Sequence, residues 1–256
     1  MKVVILAGGY GTRIQEETQL IPKPMIELGG KPIIWHIMQI YMKAGFKEFI
    51  IALGYKSNIV KQYFLNYHLM SSDFEVNLSN GNLEIFNKVN SDVKVKLIDT
   101  GLDTKTGGRI KRLKKYISDE TFFLTYGDGL SDIDINKLLE FHRSKNKLIT
   151  MTVVRPPARF GVLDIDDKGL IKSFKEKPQL QKGWINGGFF VVEPKFLDFC
   201  LSDEEMLEKE PIQRALSLQE LVAYKYFGFW KCMDNLRDKK DFEKMISEGE
   251  YPWLKD

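Results

Sequence analysis

A glycine-rich turn near the start of the chain and a lysine held between two prolines are the residues that first point to chemistry. The turn, Gly8-Gly9-Tyr10-Gly11-Thr12-Arg13, directly follows the apolar run Val3 to Ala7. Glycines let the backbone approach a ligand and aim several N–H donors at one point, and Arg13 adds a planar fork of donors that suits phosphate oxygens. The prolines around Lys23 stiffen its backbone, which lowers the entropy cost of holding an ammonium against a phosphate. Together the two segments predict a phosphate site.

The turn has three alternative interpretations: a dinucleotide fingerprint, a Walker loop and a plain structural turn. A dinucleotide fingerprint needs a third glycine where Ile14 stands, and a Walker loop needs a Gly-Lys-Ser/Thr triplet that the turn lacks. A plain structural turn would explain two glycines, but not Arg13 and Lys23 as well. A phosphate-binding loop of another kind is therefore favoured.

Asp128 is the first candidate metal ligand. It stands between Gly127 and Gly129, directly after the apolar run Phe122 to Tyr126. A magnesium ion prefers carboxylate oxygens and neutralises charge during phosphoryl or nucleotidyl transfer. The alternative is that Asp128 only caps a turn. Asp132 and Asp134, just beyond it, are candidates for supporting the same site.

The elements that must position these residues alternate between strand and helix. Strands are predicted at 3–7, 49–53, 95–98 and 122–126, and helices at 32–44 and 59–67. This alternation predicts an α/β fold with a mostly parallel mixed sheet flanked by helices, in which ligands bind at the carboxyl ends of the strands. The turn at Gly8 and Asp128 both fall at such ends.

The second half of the chain has a different character. A strand at 151–154 is followed by a hairpin over Gly161 to Lys177, an apolar strand at 185–192 and an amphipathic helix at 235–248. We expect one domain over residues 1–256, with a nucleotide-binding half to about residue 150 and a small β-rich half after it. The sequence has no Pro/Ser-rich linker between the halves.

Composition narrows the function classes. The chain has 256 residues, and its 38 basic and 35 acidic side chains give a net charge of +3, which favours neither nucleic acid nor an anionic membrane as partner. Cys200 and Cys232 are too few for a disulfide scaffold and are expected to be free and buried. The apolar run at residues 3–7 is too short for a signal peptide or membrane span, so a cytoplasmic location is expected by default.

The motifs resemble those of the sugar nucleotidylyltransferases. Gly8-Gly9-x-Gly11-Thr12-Arg13 followed by Pro22-Lys23-Pro24-Met25 is similar to the signature of that family, and the resemblance extends over essentially the whole chain. It implies a Rossmann-like fold of the nucleotide-diphospho-sugar transferase type. It also implies that a late aspartate completes the magnesium site, and Asp234 occupies that position, where the alternative is that it only caps the helix after it.

The resemblance implies further site residues. The catalytic residues would be Arg13, Lys23 and Asp128. The nucleotide would contact Leu6, Ala7, Gly8, Gly9, Tyr10, Gly11, Thr12, Arg13, Lys23, Thr106, Gly107, Arg109, Lys111 and Gly127. The sugar phosphate would contact Gly161, Glu176, Lys177, Asn186 and Gly187.

The segment Thr106-Gly107-Gly108-Arg109 resembles the branch that uses cytidine nucleotides. Arg109 and Lys111 can donate to the acceptors of cytosine, and carbonyls near Gly107 and Gly108 can accept from its amino group. The competing idea is that Arg109 and Lys111 hold the triphosphate. Ile110, Leu113 and Ile117 have helical spacing, so most charges of the run 109–115 should form a solvated helix face.

The implied reaction is transfer of a cytidylyl group from CTP to α-D-glucose 1-phosphate, with Mg²⁺ as cofactor and pyrophosphate as the second product. The sugar phosphate would attack in line and need no protein nucleophile. The alternatives are a UTP- or dTTP-dependent enzyme and an inactive nucleotide-sensing or assembly subunit. The resemblance also suggests a homo-oligomer, possibly a hexamer, and a role in nucleotide-sugar supply for O-antigen or other lipopolysaccharide.

Overall fold

The computed structural model describes residues 1–87, 92–117, 119–155, 162–165, 170–175 and 183–254. The strands, in chain order, are β1 (Lys2–Leu6), β2 (Glu27–Leu28), β3 (Lys31–Pro32), β4 (Glu48–Leu53), β5 (Asp73–Val76), β6 (Leu83–Phe86), β7 (Lys94–Asp99), β8 (Phe122–Tyr126), β9 (Gly129–Ser131), β10 (Ile149–Val154), β11 (Val162–Ile165), β12 (Ile171–Lys175), β13 (Ile185–Val192), β14 (Leu221–Lys225) and β15 (Trp230–Cys232). The α-helices are α1 (Gln15–Thr18), α2 (Ile33–Lys43), α3 (Ser57–Met70), α4 (Thr106–Ile117), α5 (Ile135–Lys145), α6 (Glu210–Ser217) and α7 (Leu236–Ser247).

The central sheet has seven strands in the order β14-β10-β13-β8-β1-β4-β7. The pairs β1–β4, β1–β8, β4–β7 and β10–β14 are parallel, and β13 is antiparallel to both of its neighbours. The sequence prediction of a mostly parallel mixed sheet flanked by helices is therefore confirmed. Strands from both halves of the chain form this one sheet.

The core lies on both faces of the sheet because successive strand residues point to opposite sides. Val3 and Ile5 of β1 pack with α2, and Val4 and Leu6 pack with α4. Both faces of β1 are thus buried, which explains why it appears in the sequence as an unbroken apolar run.

The edge of the sheet where the parallel strands end is the edge that matters for function. β1, β4, β7 and β8 all finish there and continue into loops. Because β13 runs the opposite way, its first residues, Ile185 and Asn186, lie at the same edge. Loops from both halves of the chain therefore meet at one place.

Smaller two-stranded sheets lie outside the central sheet. β15 pairs with β9, and β5 and β6 form a separate hairpin. β11 and β12 pair antiparallel, which confirms the strands of the predicted hairpin. Among the described residues, none of the helices has the length and apolar composition to cross a membrane.

Candidate active site

A cleft of about 610 Å³ lies at the carboxyl edge of the parallel strands. Its lining is drawn from the loops after β1, β7, β8 and β15 and from the start of β13. The lining residues are Leu6, Ala7, Gly8, Gly9, Tyr10, Gly11, Thr12, Arg13, Lys23, Pro24, Leu102, Asp103, Thr104, Lys105, Thr106, Arg109, Tyr126, Gly127, Asp128, Ile185, Asn186, Met206, Glu208, Trp230, Cys232 and Asp234. Most residues of the predicted nucleotide set are in this list.

The glycine-rich turn forms one wall of the cleft. Gly11 has a φ of 66°, a left-handed conformation that favours glycine. The Thr18 hydroxyl donates to the Gly11 carbonyl at 3.1 Å and holds the end of the turn in place. Beyond Gly11 the chain enters a short 3-10 helix, Thr12–Ile14, which carries Arg13 at the mouth of the cleft.

Four charged side chains meet in the cleft. The Lys23 Nζ donates to Asp128 Oδ2 at 2.6 Å and to Asp234 Oδ1 at 3.0 Å. Arg13 Nη1 donates to the other oxygen of Asp234, Oδ2, at 2.7 Å. The two aspartates are 106 positions apart in the sequence, yet both bind the same ammonium. We call Arg13, Lys23, Asp128 and Asp234 the ionic cluster.

Local structure explains why the cluster assembles. Lys23 begins a 3-10 helix, Lys23–Met25, and the prolines on either side fix its backbone. Cys232 is paired with Gly129 in the β9–β15 ladder, and the Met233 N–H donates to the Asp128 carbonyl at 2.8 Å. The antiparallel ladder therefore brings Asp128, just before β9, close to Asp234, just after β15.

The electrostatics of the cluster follow from its burial. Burial opposes the charge of the Lys23 ammonium, but Asp128 and Asp234 outweigh it and raise the pKa of Lys23. For Asp234, burial acts against ionisation, and Lys23 and then Arg13 overcome it, so its pKa is lowered. The lysine is charged and Asp234 is ionised at neutral pH.

The two aspartates suit a divalent cation. Their oxygens contact a common Nζ, so they lie no farther apart than the sum of those two distances. Magnesium sites typically take one or two carboxylates and complete the shell with water and substrate phosphates. No group of three or more His, Cys, Asp or Glu side chains converges within the described ranges, so a cation here would need such outside ligands.

The structure tests the alternative roles of Asp234, Asp132 and Asp134. The N-cap of α7 is Asn235, which forms a capping box with Asp238, so the capping interpretation of Asp234 was wrong. Asp134 caps α5, and Asp132 accepts a hydrogen bond from Tyr226. Neither of these contacts involves Asp128.

Arg109 lines the cleft but is buried, with only 4% of its surface exposed. Its Nη1 donates to the Leu53 carbonyl, the Thr100 hydroxyl and the Gly101 carbonyl, at 3.0, 2.8 and 2.7 Å. Its Nη2 donates to the carbonyls of Gly8 at 2.9 Å and Leu102 at 3.1 Å. The guanidinium therefore links the glycine-rich turn to the end of β4 and to the loop after β7. A direct contact with nucleotide stays a prediction.

The glycines after Thr106 do not have the role expected of them. Gly107 and Gly108 lie in the first turn of α4 rather than in a loop with free carbonyls. A Cβ added to Gly108 would lie 2.5 Å from the Asp203 Cα, so this glycine allows close packing of the 203–205 segment. Lys111 is exposed and donates to the Leu201 carbonyl at 2.7 Å. Gly107 and Lys111 are not among the described residues that line the cleft.

The basic run does form a solvated face, as the spacing predicted. Ile110, Leu113 and Ile117 are fully buried, while Lys111 and Lys114 are exposed. The two cysteines are free, as expected; Cys200 is buried and Cys232 is half-buried. Burial raises the pKa of both thiols to about 12, so neither is a thiolate near neutral pH.

The cleft also contains a hydrogen-bonded group that the sequence did not predict. The Tyr126 hydroxyl donates to Glu208 Oε1 at 2.5 Å and accepts from Asn186 Nδ2 at 3.2 Å. The Thr106 hydroxyl donates to Glu208 Oε2 at 2.9 Å. Burial, followed by Glu208, raises the pKa of Tyr126 well above its usual value, so the hydroxyl keeps its proton. Asn186 thus lines the cleft, and its contact with the sugar stays a prediction.

The remaining sugar-side predictions have different outcomes. Gly187 is buried, and its carbonyl accepts a hydrogen bond from Trp230 Nε1 at 2.7 Å. Gly161, Glu176 and Lys177 lie outside the described residues. At the mouth of the cleft, the Tyr10 hydroxyl donates to Asp103 Oδ1 at 2.7 Å, a contact that no motif indicated.

Known proteins resemble this chain over nearly its whole length. Residues 2–230 match the sequence profile of the nucleotidyl transferase family. The chain is 46% identical over 254 residues to the glucose-1-phosphate cytidylyltransferase of Salmonella typhi, covering 99% of this chain and 98% of that protein. It is 42% identical over 254 residues to the probable glucose-1-phosphate cytidylyltransferase of Bacillus subtilis, covering 99% of both.

A solved structure shows the same fold at lower identity. The apo structure of a UDP-glucose pyrophosphorylase matches with a TM-score of 0.69 and 16% identity, over 97% of this chain and 98% of that one. The likeness supports a shared architecture.

Proposed function

Because this chain belongs to the nucleotidyl transferase family, we propose that it transfers a cytidylyl group from CTP to α-D-glucose 1-phosphate and forms CDP-glucose and pyrophosphate. The family assignment makes the chain a nucleotidyltransferase. The choice of CTP and glucose 1-phosphate is supported by relatives at 46% and 42% identity over nearly the full chain.

The observation that carries the proposal is the ionic cluster. Lys23 sits between Asp128 and Asp234 at the base of the cleft, directly below the glycine-rich turn. A triphosphate lying along the turn would meet backbone N–H groups first and the Arg13 and Lys23 side chains next. Fixed donors and cations of this kind stabilise negative charge without reorganising during the reaction.

Asp128 and Asp234 are the residues that would hold Mg²⁺. The bound cation would neutralise charge on the triphosphate and on the departing pyrophosphate. Both side chains are already ordered by protein contacts, Asp128 by Lys23 and Asp234 by Lys23 and Arg13. Ordered carboxylates lower the entropy cost of binding a cation.

The reaction needs no protein nucleophile. A phosphate oxygen of the sugar phosphate forms a bond to the α-phosphorus of the nucleotide, and the bond to the pyrophosphate oxygen breaks. The attacking oxygen is already ionised, so the protein has to supply position and charge stabilisation. Arg13 and Lys23 would stabilise the reacting phosphates.

The part of the cleft around Asn186 would receive the sugar. Asn186 and the Tyr126–Glu208 pair place amide, hydroxyl and carboxylate groups there, which suit sugar hydroxyls. Glu176 and Lys177 remain predicted contacts of the sugar phosphate, together with Gly161. The homo-oligomer and the supply of nucleotide sugar for surface polysaccharide also remain predictions from the resemblance.

The test is a substrate panel. Pyrophosphate release would be measured with CTP, UTP, dTTP, GTP and ATP, each paired with glucose 1-phosphate, galactose 1-phosphate or mannose 1-phosphate, in the presence of Mg²⁺. We expect the highest kcat/KM for CTP with glucose 1-phosphate. A preference for UTP or dTTP would contradict the choice of base, and no pyrophosphate from any pair would contradict the enzyme itself.

A further inference from the structure

A second ion pair joins the same two segments of the chain as the contact between Arg13 and Asp234. The Lys239 Nζ donates to Glu17 Oε1 at 2.5 Å. Glu17 is four residues after Arg13, and Lys239 is five residues after Asp234. We call Arg13 and Asp234 the inner pair, and Glu17 and Lys239 the outer pair. The two pairs thus link α1 and the turn before it to the start of α7 at two points.

The two pairs differ in their position relative to the cleft. Arg13 and Asp234 line it, whereas Glu17 and Lys239 are not among the described residues of its lining. The Arg13 side chain is 74% exposed, while the side chains of Lys239 and Glu17 are only 20% and 27% exposed. Ion pairs between exposed groups contribute little, and partly buried pairs are screened less by salt. The outer pair therefore holds the two segments together more firmly than the inner pair does.

On the side of Glu17, local contacts connect the outer pair to the glycine-rich turn. Glu17 lies in α1, which directly follows the 3-10 helix that carries Arg13. The hydroxyl of the next residue, Thr18, donates to the carbonyls of Gly11 at 3.1 Å and Ile14 at 3.2 Å. A displacement of α1 would therefore also displace the backbone of the turn.

On the side of Lys239, the start of α7 connects the outer pair to Asp234. The Asp238 carboxylate accepts from the backbone N–H groups of Asp234 at 2.9 Å and Asn235 at 3.2 Å. Lys239 follows Asp238 in the first turn of α7, where the helix dipole disfavours a cation. The helix itself thus gives no reason for a lysine at this position, whereas the carboxylate of Glu17 does.

From these observations we infer that Glu17 and Lys239 are positioning residues, which fix the distance between Arg13 and Asp234 in the cleft. The inference rests on the proposed function, because a triphosphate with Mg²⁺ would replace the contact between the members of the inner pair. Arg13 would then bind phosphate, and Asp234 would bind the cation. The outer pair takes no part in the described lining, so these ligands leave it intact and it keeps both groups in place.

The test reverses the charges of the outer pair. Glu17→Lys and Lys239→Glu each place like charges together, and the double variant restores an ion pair with its ends exchanged. Because a small misplacement of reacting groups is costly, kcat/KM for CTP should fall by about tenfold or more in each single variant. In the double variant it should return to near the wild-type value.

The matched controls are the neighbouring substitutions Glu16→Lys and Lys240→Glu. They make the same changes of charge at exposed positions of α1 and α7 and should keep the wild-type kcat/KM. Urea unfolding would confirm that every variant is folded. Calorimetric binding of CTP with Mg²⁺, in the absence of sugar phosphate, should weaken in the two single variants of the outer pair and recover in the double variant.

A further comparison tests whether the outer pair acts through the inner pair. In an Arg13→Ala background, Glu17→Lys should lower kcat/KM by no more than about twofold, because the group that it positions is already gone. Single variants equal to their controls, no recovery in the double variant, or a full additional loss in the Arg13→Ala background would each overturn the inference.

The wild type distinguishes this inference from the proposed function. If wild type releases no pyrophosphate from CTP, the choice of CTP fails, and the same variants would be compared with the nucleotide that the substrate panel identifies. A wild type that is inactive with every nucleotide would overturn both proposals.

Discussion

Arg109 and Lys23 line the same cleft, but the groups that accept their hydrogen bonds differ. Arg109 is buried and donates to neutral acceptors of the protein, namely carbonyls and one hydroxyl. Lys23 is 12% exposed at its side chain and lies between two carboxylates. Neutral backbone acceptors are permanent parts of the fold, whereas carboxylates can take a metal ion and leave the ammonium for a phosphate. The comparison favours a structural role for Arg109 and supports the proposal that the ionic cluster does the chemistry.

The largest effect is expected at the carboxylates. Asp128→Asn and Asp234→Asn each remove a charged oxygen that would hold Mg²⁺, and losing several kcal/mol of charge stabilisation corresponds to a fall in kcat/KM of about a hundredfold or more. Pyrophosphate release should be measured at increasing Mg²⁺, with Asp132→Asn as the control because its carboxylate contacts Tyr226. Wild-type rates in both variants would remove the metal role.

The next effect is expected at Lys23. Lys23→Ala removes the cation nearest the predicted phosphates, and turnover should fall by at least about tenfold while the chain stays folded. Lys240→Ala, at an exposed position of α7, is the matched control. A rate near that of wild type would show that the ammonium serves only to hold the two aspartates.

A moderate effect of another kind is expected at Arg109. Arg109→Lys keeps the charge but cannot reach the acceptors of both Nη atoms, so the free energy of unfolding should fall by about 2–4 kcal/mol. The KM for CTP should rise severalfold, and the ratio of kcat/KM for CTP to that for UTP should not change.

Arg112→Lys is the control for that experiment, since Arg112 is exposed and pairs with Asp203 at 2.5 Å. An exposed pair of this kind contributes little to stability. If Arg109→Lys instead lowers the preference for CTP and leaves stability intact, Arg109 contacts the base and the contrast with Lys23 fails.

The smallest effect is the dependence of stability on pH. Asp234 has a lowered pKa in the folded chain, so its contribution is present above its unfolded value near 3.8 and is lost as pH falls through the folded value. Lys23 has a raised pKa, so its contribution is present below 10.5 and is lost as pH rises through the folded value.

Urea unfolding of wild type and Asp234→Asn should therefore give parallel stability profiles between about pH 5 and 9. The profiles should converge only in acid, below the unfolded pKa of the carboxyl. If the difference between the two profiles instead changes with pH across the neutral range, Asp234 titrates there and is not fully ionised.

The parts of the fold that the sequence predicted well are those encoded locally. β8 is an apolar run that ends at Tyr126, just before Gly127. α2 has apolar residues at helical spacing. The sequence pattern alone therefore predicts both elements. The end of a helix was harder. Asp234 and Asn235 are both good cap residues, and only the backbone geometry shows that Asn235 is the cap.

The contacts that the sequence did not predict join distant segments. Arg109 binds the carbonyl of Gly8, which is 101 positions away, and a backbone carbonyl carries no side-chain signal. Glu208 lies in an ordinary charged stretch, and its partner Tyr126 is 82 positions away. The ionic cluster was easier, because Lys23 and Asp128 stand in motifs and a resemblance supplied Asp234.

The strand order of the central sheet has a consequence for how the protein is made. β8 pairs with β1 on one side and with β13 on the other, and β13 ends at Val192. A nascent chain that has emerged only as far as β8 therefore presents an open sheet edge and unburied phenylalanines, and must wait for roughly another 70 residues before that edge closes. At typical elongation rates of about 5–20 residues per second the delay lasts several seconds, and during this interval the open edge can pair with another chain.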